Sequence, residues 1–294
     1  MPELPETETI ARDLDAALRG ASIVAYRVTR PDVIRGAAFE LSVQRRFTRQ
    51  PITRVFRRAK AIVLEFASRT HIVVVPRFTG ALLISGEAAV SRERSSGSVH
   101  PPDIEAAFAP THPYGCLQFL FTDGRTLQYV DVRRLGTVSL CTPDEYRAWD
   151  ATLGPEPLDR TLTAERFSGI FRGSNRAVKT VLMDQKRLAG VGNIYANEAL
   201  WWAGIRPTRR ASAVTRAEAA RLLEGLREIL TASIALRGTT FRDFQDAYGG
   251  RGGYAKELRV YGRGGEACPR CGATLQETHK LEGRSTVWCR TCQR

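Results

Sequence analysis

The chain has 294 residues, of which 43% are hydrophobic, and 44 Lys and Arg against 31 Asp and Glu give a net charge of +13. This length and apolar content suit at least two folded domains and exclude a chain that is disordered throughout, while the charge favours a polyanionic partner such as nucleic acid. No run of about 18 uncharged apolar residues exists, and the N-terminus is acidic where a signal peptide would be basic. We therefore expect a cytoplasmic protein that has no membrane segment.

The chain begins MPELPETETI, with two prolines and three glutamates in its first eight residues. Pro5 suits the first turn of a helix, and apolar residues that recur every four positions predict a helix over about 5–19. This helix explains Pro5 but not Pro2 and Glu3, which precede its first turn.

The region after this helix is predicted to be mostly β, because its apolar and β-branched runs are short and separated by turn residues. Thr122-Asp123-Gly124 predicts a hairpin turn, since glycine tolerates the positive φ that tight turns need. Polar residues 91–103 predict a surface loop. The predicted strands cover residues 22–30, 52–66, 71–75, 116–121 and 125–132.

Residues 45–60, called here the basic segment, carry seven basic and no acidic side chains, with Phe47 and Phe56 between them. Basic residues mixed with aromatic ones are typical of nucleic-acid-binding surfaces. A solvated strand face is the alternative that the pattern leaves open.

The pattern becomes helical after LGPEPLDRTL, whose two prolines predict a linker and a domain boundary near 152–160. Helices are predicted around 177–184, after GVGN at 190–193, and from Thr215, where Glu218 completes a capping box. Bare N–H groups at the GVGN helix start favour an anion, although a plain turn fits equally well. Residues 239–254, called here the glycine-rich loop, contain four glycines and predict a flexible segment.

Four of the six cysteines form two Cys-x-x-Cys pairs in the last 27 residues. Such pairs offer four thiolates to one tetrahedral zinc ion, and a disulfide is the less favoured alternative in a cytoplasmic chain. Four protein ligands leave no position for a metal-bound water, so we expect one structural Zn²⁺. The ligands are Cys268, Cys271, Cys289 and Cys292.

Six motifs occur in the order found in one enzyme family: PELPE, RRAK at 57–60, LGPEPL, GVGNIYA, VYGR and the terminal CxxC…GRST…CxxCQ. The sequence thus resembles the formamidopyrimidine-DNA glycosylases of base-excision repair, whose sister branch is endonuclease VIII. The resemblance implies an α+β multidomain fold. Its parts are an N-terminal β-sandwich with an N-terminal helix (1–152), a helix-two-turn-helix domain (153–250) and a C-terminal zinc β-ribbon (251–294).

The resemblance also implies a bifunctional glycosylase and abasic-site lyase that removes oxidised purines, such as 8-oxoguanine and formamidopyrimidines, from duplex DNA. Once the initiator methionine is removed, the secondary amine of Pro2 would form a Schiff base with the sugar, and β,δ-elimination would follow. Glu3 would protonate the sugar ring oxygen, Glu6 would support the site, and Lys60 would contact a phosphate beside the lesion.

Further residues match the DNA contacts of the family. Asn193 and Arg284 would clamp phosphates, Lys179 would lie near the lesion pocket, and Arg133 would enter the gap left by the extruded nucleotide. The glycine-rich loop would close over an extruded purine.

Two positions depart from the family pattern. Phe78 is the candidate wedge where the family has a methionine, and Leu135 replaces a phenylalanine; both side chains are apolar and suit insertion into the vacated space.

Two other functions stay open: an endonuclease VIII-like glycosylase for oxidised pyrimidines or crosslinks, and a non-catalytic binder of damaged DNA. The glycine-rich loop favours purines, because the endonuclease VIII branch lacks it. A pure binder has no need of Pro2, Glu3, Glu6 and Lys60 together. We expect a monomer that associates with the nucleoid while it is bound to DNA.

Overall fold

A computed structural model describes residues 2–35, 47–86 and 108–294 and divides them into two compact units. The loop predicted at 91–103 lies outside the described residues. The first unit takes in the described residues of Met1–Pro2, Glu6–Trp149 and Thr240–Gly252, and the second takes in Glu3–Pro5, Asp150–Thr239 and Gly253–Arg294. The three predicted domain ranges are not tested by this division and stay a prediction.

The described part of the first unit contains two helices and two sheets. The helices are α1 (Leu4–Leu18, whose first two residues group with the second unit) and α2 (Pro143–Asp150, whose last residue does so). The strands are β1 (Ile23–Val28), β2 (Ile34–Arg35), β3 (Ile52–Arg58), β4 (Ala61–Phe66), β5 (His71–Val75), β6 (Gly80–Ser85), β7 (Gly115–Phe121), β8 (Thr126–Asp131) and β9 (Thr137–Cys141).

Strand order is β1-β7-β8-β6 in one sheet and β2-β9-β5-β4-β3 in the other. All neighbouring strands are antiparallel except β2 and β9, which are parallel. Ile10 of α1, Leu64 of β4 and Phe119 of β7 belong to one buried core, so the two sheets and the helix pack together. The N-terminal helix and the hairpin at 122–124 are confirmed, and Gly124 has a φ of 87°.

The predicted strand span 52–66 consists of two strands. β3 and β4 pair antiparallel and are joined by a turn at Ala59 and Lys60, where Ala59 has a φ of 53°. Lys60 is therefore a turn residue at one end of the five-stranded sheet.

The second unit is helical up to its last 40 residues or so. The capping box predicted at Thr215 is confirmed at the start of the longest described helix. Thr215 accepts a hydrogen bond from the Glu218 N–H, and the Glu218 side chain accepts one from the Thr215 N–H. The elements are α3 (Ala164–Gly169), α4 (Val178–Leu182), α5 (Asn193–Ala203), α6 (Arg216–Ala235), β10 (Gln276–Thr278) and β11 (Thr286–Trp288), with β10 and β11 forming an antiparallel hairpin.

The proline-containing linker is tied to α6 by one side chain. The Arg227 guanidinium donates hydrogen bonds to the carbonyls of Pro157, Asp159 and Leu162, each at 2.8 Å.

Among the described residues, no helix combines the length and the apolar character that a bilayer crossing requires.

We expect Gly225→Ala in α6 to destabilise the protein by about 1–3 kcal/mol, because the added Cβ would overpack the helix interface. That Cβ would lie 2.4 Å from the ring of Trp202. Helix propensity alone gives the opposite sign, since alanine is favoured over glycine by about 1 kcal/mol. The control is Gly169→Ala in α3, which has no atom within 4 Å of its Cβ. Urea unfolding compares the two, and a Gly225→Ala variant as stable as wild type would contradict this packing.

Candidate functional site

Glu3 is buried in the second unit, with 3% of its surface exposed. Its Oε1 accepts a hydrogen bond of 3.0 Å from the backbone N–H of Ile194, in the first turn of α5. N–H groups at a helix start have no partner within the helix, and the helix dipole favours a negative charge there. The anion expected at the GVGN motif is therefore a side chain of the same chain.

The two glycines of GVGN allow residues 3 and 4 to approach α5 closely. An added Cβ at Gly192 would lie 2.3 Å from the carboxylate carbon of Glu3. Gly190 has a φ of 82°, its carbonyl accepts the Leu4 N–H at 3.0 Å, and an added Cβ would lie 2.7 Å from the Leu4 side chain. A larger residue at Gly192 would displace the Glu3 carboxylate, and a larger residue at Gly190 would displace the Leu4 side chain.

The other predicted catalytic residues belong to the first unit. Pro2 is buried, Glu6 is 1% exposed in the first turn of α1, and Lys60 is half-buried in the β3–β4 turn. Pro2 directly precedes Glu3 in the sequence, so the proposed nucleophile and the proposed proton donor are covalent neighbours.

Part of the basic segment makes ion pairs inside the first unit. Arg57 contacts Glu8 at 2.9 Å, and Arg54 pairs with Glu65 across β3 and β4. The aromatic residue Phe47 is buried. Some of these side chains thus stabilise the unit itself.

Lys179 of α4 is fully buried in the second unit. Its Nζ donates hydrogen bonds to the Ser285 carbonyl at 2.8 Å and to Thr286 Oγ1 at 2.7 Å. Burial lowers the pKa of Lys179 to about 7, an effect that the Glu3 carboxylate partly opposes. Lys179 therefore holds the start of β11, and its predicted contact with DNA stays a prediction.

Asn193 and Arg284, the predicted phosphate clamps, lie on two elements that Asn197 joins. Asn193 is the first residue of α5, and its carbonyl accepts a 2.7 Å hydrogen bond from Nδ2 of Asn197. Oδ1 of Asn197 accepts the backbone N–H of Val287 at 2.8 Å. Arg284, half-buried, lies three residues before Val287.

Glu198, the next residue of α5, anchors the segment that leads to the β10–β11 hairpin. Its carboxylate accepts the backbone N–H groups of Arg259, Val260 and Tyr261 at 2.9, 2.9 and 2.7 Å. Burial raises the pKa of Glu198 above its ordinary value, and the three N–H groups offset only part of that increase. Sequence analysis missed Asn197 and Glu198; the available signal was two adjacent polar residues in the middle of a helix that is mostly apolar.

The predicted wedge residues are exposed in the first unit. Phe78 is 39% exposed and Leu135 is 41% exposed. The Arg133 guanidinium lies 4.9 Å from the centroid of the Phe78 ring, a distance typical of a cation–π contact. The structure therefore brings Phe78 and Arg133 together.

The glycine-rich loop is folded on itself over residues 240–252. Asp246 Oδ1 accepts the N–H groups of Tyr248 at 3.0 Å and Gly250 at 2.7 Å. The Ala247 carbonyl accepts the N–H of Ile84 in β6 at 2.9 Å. This part of the loop therefore packs with the first unit.

The four cysteines of the two Cys-x-x-Cys pairs lie together. Their Sγ atoms are all within 4.8 Å of one another, so the cluster could hold a metal ion. Four sulfurs around a tetrahedral zinc ion, with bonds of about 2.3 Å, lie about 3.8 Å apart. The donor set and its spacing fit that geometry.

Two family models match the chain: the formamidopyrimidine-DNA glycosylase N-terminal domain over residues 1–138 and the formamidopyrimidine-DNA glycosylase H2TH domain over residues 153–245. A Paracoccus denitrificans protein named formamidopyrimidine-DNA glycosylase is 38% identical, and the alignment covers 100% of both chains. A Desulforamulus reducens protein of the same name is 35% identical over 100% of this chain and 99% of the relative. The chain belongs to the formamidopyrimidine-DNA glycosylase family.

Solved structures show the same fold. A Lactococcus lactis FPG mutant in complex with a DNA that contains Fapy-dG has a TM-score of 0.84 and 29% identity, with 100% of each chain covered. The MutM (FPG) protein from Thermus thermophilus has a TM-score of 0.81 and 32% identity, with 99% of this chain and 98% of that chain covered. These matches confirm the α+β fold class.

We expect the stability that Lys179 contributes to increase as the pH rises from about 7 to about 9. The unfolded chain, with the ordinary lysine pKa, binds the proton more tightly than the folded protein, in which the pKa is about 7. Deprotonation therefore favours the folded state, and a neutral amine still donates to both acceptors.

The measurement is the free energy of unfolding of wild type minus that of Lys179→Met across this pH range. Lys186→Met, at an exposed position in the same unit, controls for the loss of a lysine. A difference that stays constant with pH would contradict the lowered pKa.

Proposed function

We propose that this chain is a bifunctional DNA glycosylase and abasic-site lyase that excises oxidised purines from duplex DNA. The observation that carries the proposal is the buried carboxylate of Glu3, next to Pro2 in the sequence and fixed by the N–H of Ile194. Family membership supplies the class of reaction. The contact fixes in place the carboxylate that proton transfer to the sugar requires, on the residue next to the nucleophile in the sequence.

The nucleophile is the secondary amine of Pro2, which removal of Met1 frees. An α-amine has a pKa of about 7.7 to 8.0, so roughly a tenth of it is unprotonated at neutral pH. The amine attacks C1′ of the damaged nucleotide, the base leaves and an iminium forms. Glu3 protonates the ring oxygen of the sugar, and elimination then releases the 3′ and 5′ phosphates.

Cationic and polar side chains position the duplex. Lys60, Asn193 and Arg284 contact phosphates around the lesion, and Lys179 contributes beside the lesion pocket, which pins the backbone while the nucleotide is turned out of the stack. In support, solved complexes of the similar Lactococcus lactis protein contain DNA with Fapy-dG and DNA with an abasic site.

A second group of residues contacts the gap in the duplex and the strand opposite the lesion. Phe78 and Leu135 fill the gap left by the extruded nucleotide, and Arg133 meets the orphaned base. The glycine-rich loop closes over the extruded purine. The protein acts as a monomer.

The four clustered cysteines bind one structural Zn²⁺, which the separations of their sulfurs fit. With four thiolate ligands, the ion supplies folding energy and no open coordination position. It stabilises the β10–β11 hairpin, whose connection carries Arg284.

Borohydride should trap the correctly processed protein as a covalent adduct on duplex DNA that contains 8-oxoguanine or an abasic site. An uncleaved Gly-Ser extension before Pro2 should abolish the adduct, because it converts the amine into an amide. The same extension at the C-terminus is the control, and mass spectrometry verifies each N-terminus.

The alternatives give different results. Absence of any adduct with the processed protein refutes the lyase mechanism. An adduct only on duplexes with oxidised pyrimidines indicates an endonuclease VIII-like specificity, and tight binding of lesion DNA without turnover indicates a non-catalytic binder.

Atomic emission should find about one zinc ion per chain in wild type and much less in Cys289→Ser, since three ligands hold zinc weakly. Cys289→Ser should also weaken DNA binding, because the hairpin that presents Arg284 loses its staple. Cys141→Ser, in β9 outside the cluster, should keep the zinc content of wild type. Equal zinc in both variants would argue against the site.

A further inference from the structure

We propose that Asp131 is a positioning residue that determines how the protein recognises the base opposite the lesion. Asp131 would not touch DNA itself; it acts through Phe78 and Arg133. The proposal rests on the proposed function, which assigns these two residues to the gap in the duplex.

Asp131 lies at the end of β8 and is 1% exposed. Its Oδ1 accepts hydrogen bonds from Thr79 Oγ1 at 2.6 Å and from the Arg133 N–H at 3.2 Å. Its Oδ2 accepts from the Tyr129 hydroxyl at 3.1 Å and from the Gly136 N–H at 2.8 Å. One buried carboxylate therefore uses both oxygens to collect four donors.

Three of these donors come from two loops at the same end of the four-stranded sheet, and the fourth, Tyr129, lies in β8 itself. Gly80 of β6 pairs with Asp131 of β8, so the residues before Gly80 and those after Asp131 leave the sheet side by side. Thr79 directly follows Phe78, and its Oγ1 also accepts the Arg133 N–H at 3.0 Å. The backbones that carry Phe78 and Arg133 are thus joined through the Asp131 carboxylate and the Thr79 hydroxyl.

Two glycines close the space around this network. An added Cβ at Gly136 would lie 1.9 Å from the Tyr129 hydroxyl oxygen, and an added Cβ at Gly80 would lie 2.9 Å from the same oxygen. Burial and the neighbouring Asp131 charge raise the pKa of Tyr129, so the phenol keeps its proton and remains a donor. The network therefore has little freedom to rearrange.

The network explains how Phe78 keeps an unfavourable backbone conformation. Its φ is +43°, in a region that a side chain of this size rarely adopts. In this conformation the exposed Phe78 ring meets the Arg133 guanidinium. An arginine held in place before DNA binds loses less entropy on contact with the orphaned base, and its alignment decides which base it favours.

Asp131→Asn tests the proposal, because the side chain keeps its shape but its NH₂ group must face two donors in either orientation. We expect excision of 8-oxoguanine from a duplex to fall roughly 10- to 100-fold, since hydrogen bonds that orient the two loops are lost. The difference in excision rate between duplexes with cytosine and duplexes with adenine opposite the lesion should become smaller. Cleavage of an abasic site in single-stranded DNA, where no opposite base exists, should change by less than about threefold.

The control is Asp123→Asn, in the β7–β8 turn at the other end of β8, where the carboxylate pairs with Arg125. Its ratio of duplex excision to single-strand cleavage should equal that of wild type. A merely structural role for Asp131 lowers the active fraction and hence both activities equally, so an unchanged ratio in Asp131→Asn overturns the proposal.

Tyr129→Phe provides a second variant if Asp131→Asn does not fold, because it removes one donor and keeps the buried ring. Its ratio of duplex excision to single-strand cleavage should fall below that of wild type, by a smaller factor than in Asp131→Asn. An unchanged ratio counts against the proposal. The proposed function fails separately: in that case wild type itself neither excises the lesion nor forms an adduct.

Discussion

The second unit depends on three buried polar contacts that helix α5 makes with distant parts of the chain. Its Ile194 N–H binds Glu3, its Asn197 binds Val287, and its Glu198 binds the backbone of residues 259–261. Each group has left water, so the loss of a partner costs about 1–3 kcal/mol. The segments that carry the proposed proton donor and both proposed phosphate clamps are therefore fixed to one rigid helix.

The first unit uses the same physical device at Asp131. Loop backbones lack the repeating hydrogen bonds of helices and sheets, so their N–H groups need other acceptors. A carboxylate has two oxygens and about four lone-pair sites, and a buried one with four donors is fully satisfied. In both units, residues proposed to meet DNA are held by buried acceptors, Asn197 in the second and Asp131 in the first, for which no DNA contact is proposed.

Sequence analysis predicted the features that local signals encode. The period of α1, the turn glycine at 124, the capping box of Thr215 and the cysteine spacing each lie within a short stretch, and the structure contains them all. The α+β fold class and the family followed from six short motifs in order. The turn inside the span 52–66 was not predicted, because Ala59 adopts a positive φ that the sequence does not signal.

The buried acceptors were missed for a different reason. Asn197 and Val287 are 90 residues apart, and Glu198 and Arg259 are 61 apart, so periodicity and spacing contain no information about these contacts. Asp131 has three donors within five residues in sequence, but its link to Thr79 spans 52 residues. Only the fold brings such partners together. The GVGN motif indicated an anion, but only the structure identified that anion as the Glu3 carboxylate.

The net charge of +13 gives the partner class correctly but overstates the number of DNA contacts. Arg227 uses three donors on the carbonyls of the linker, and Arg209 makes a two-pronged pair with Glu218, which also closes the capping box of α6. Guanidinium groups suit this work, because five N–H donors in a rigid plane can bind several protein oxygens at once. Arginines committed in this way release no counterions from a phosphate backbone. Affinity for DNA therefore depends on which cations the fold leaves oriented toward phosphate, and composition alone does not identify them.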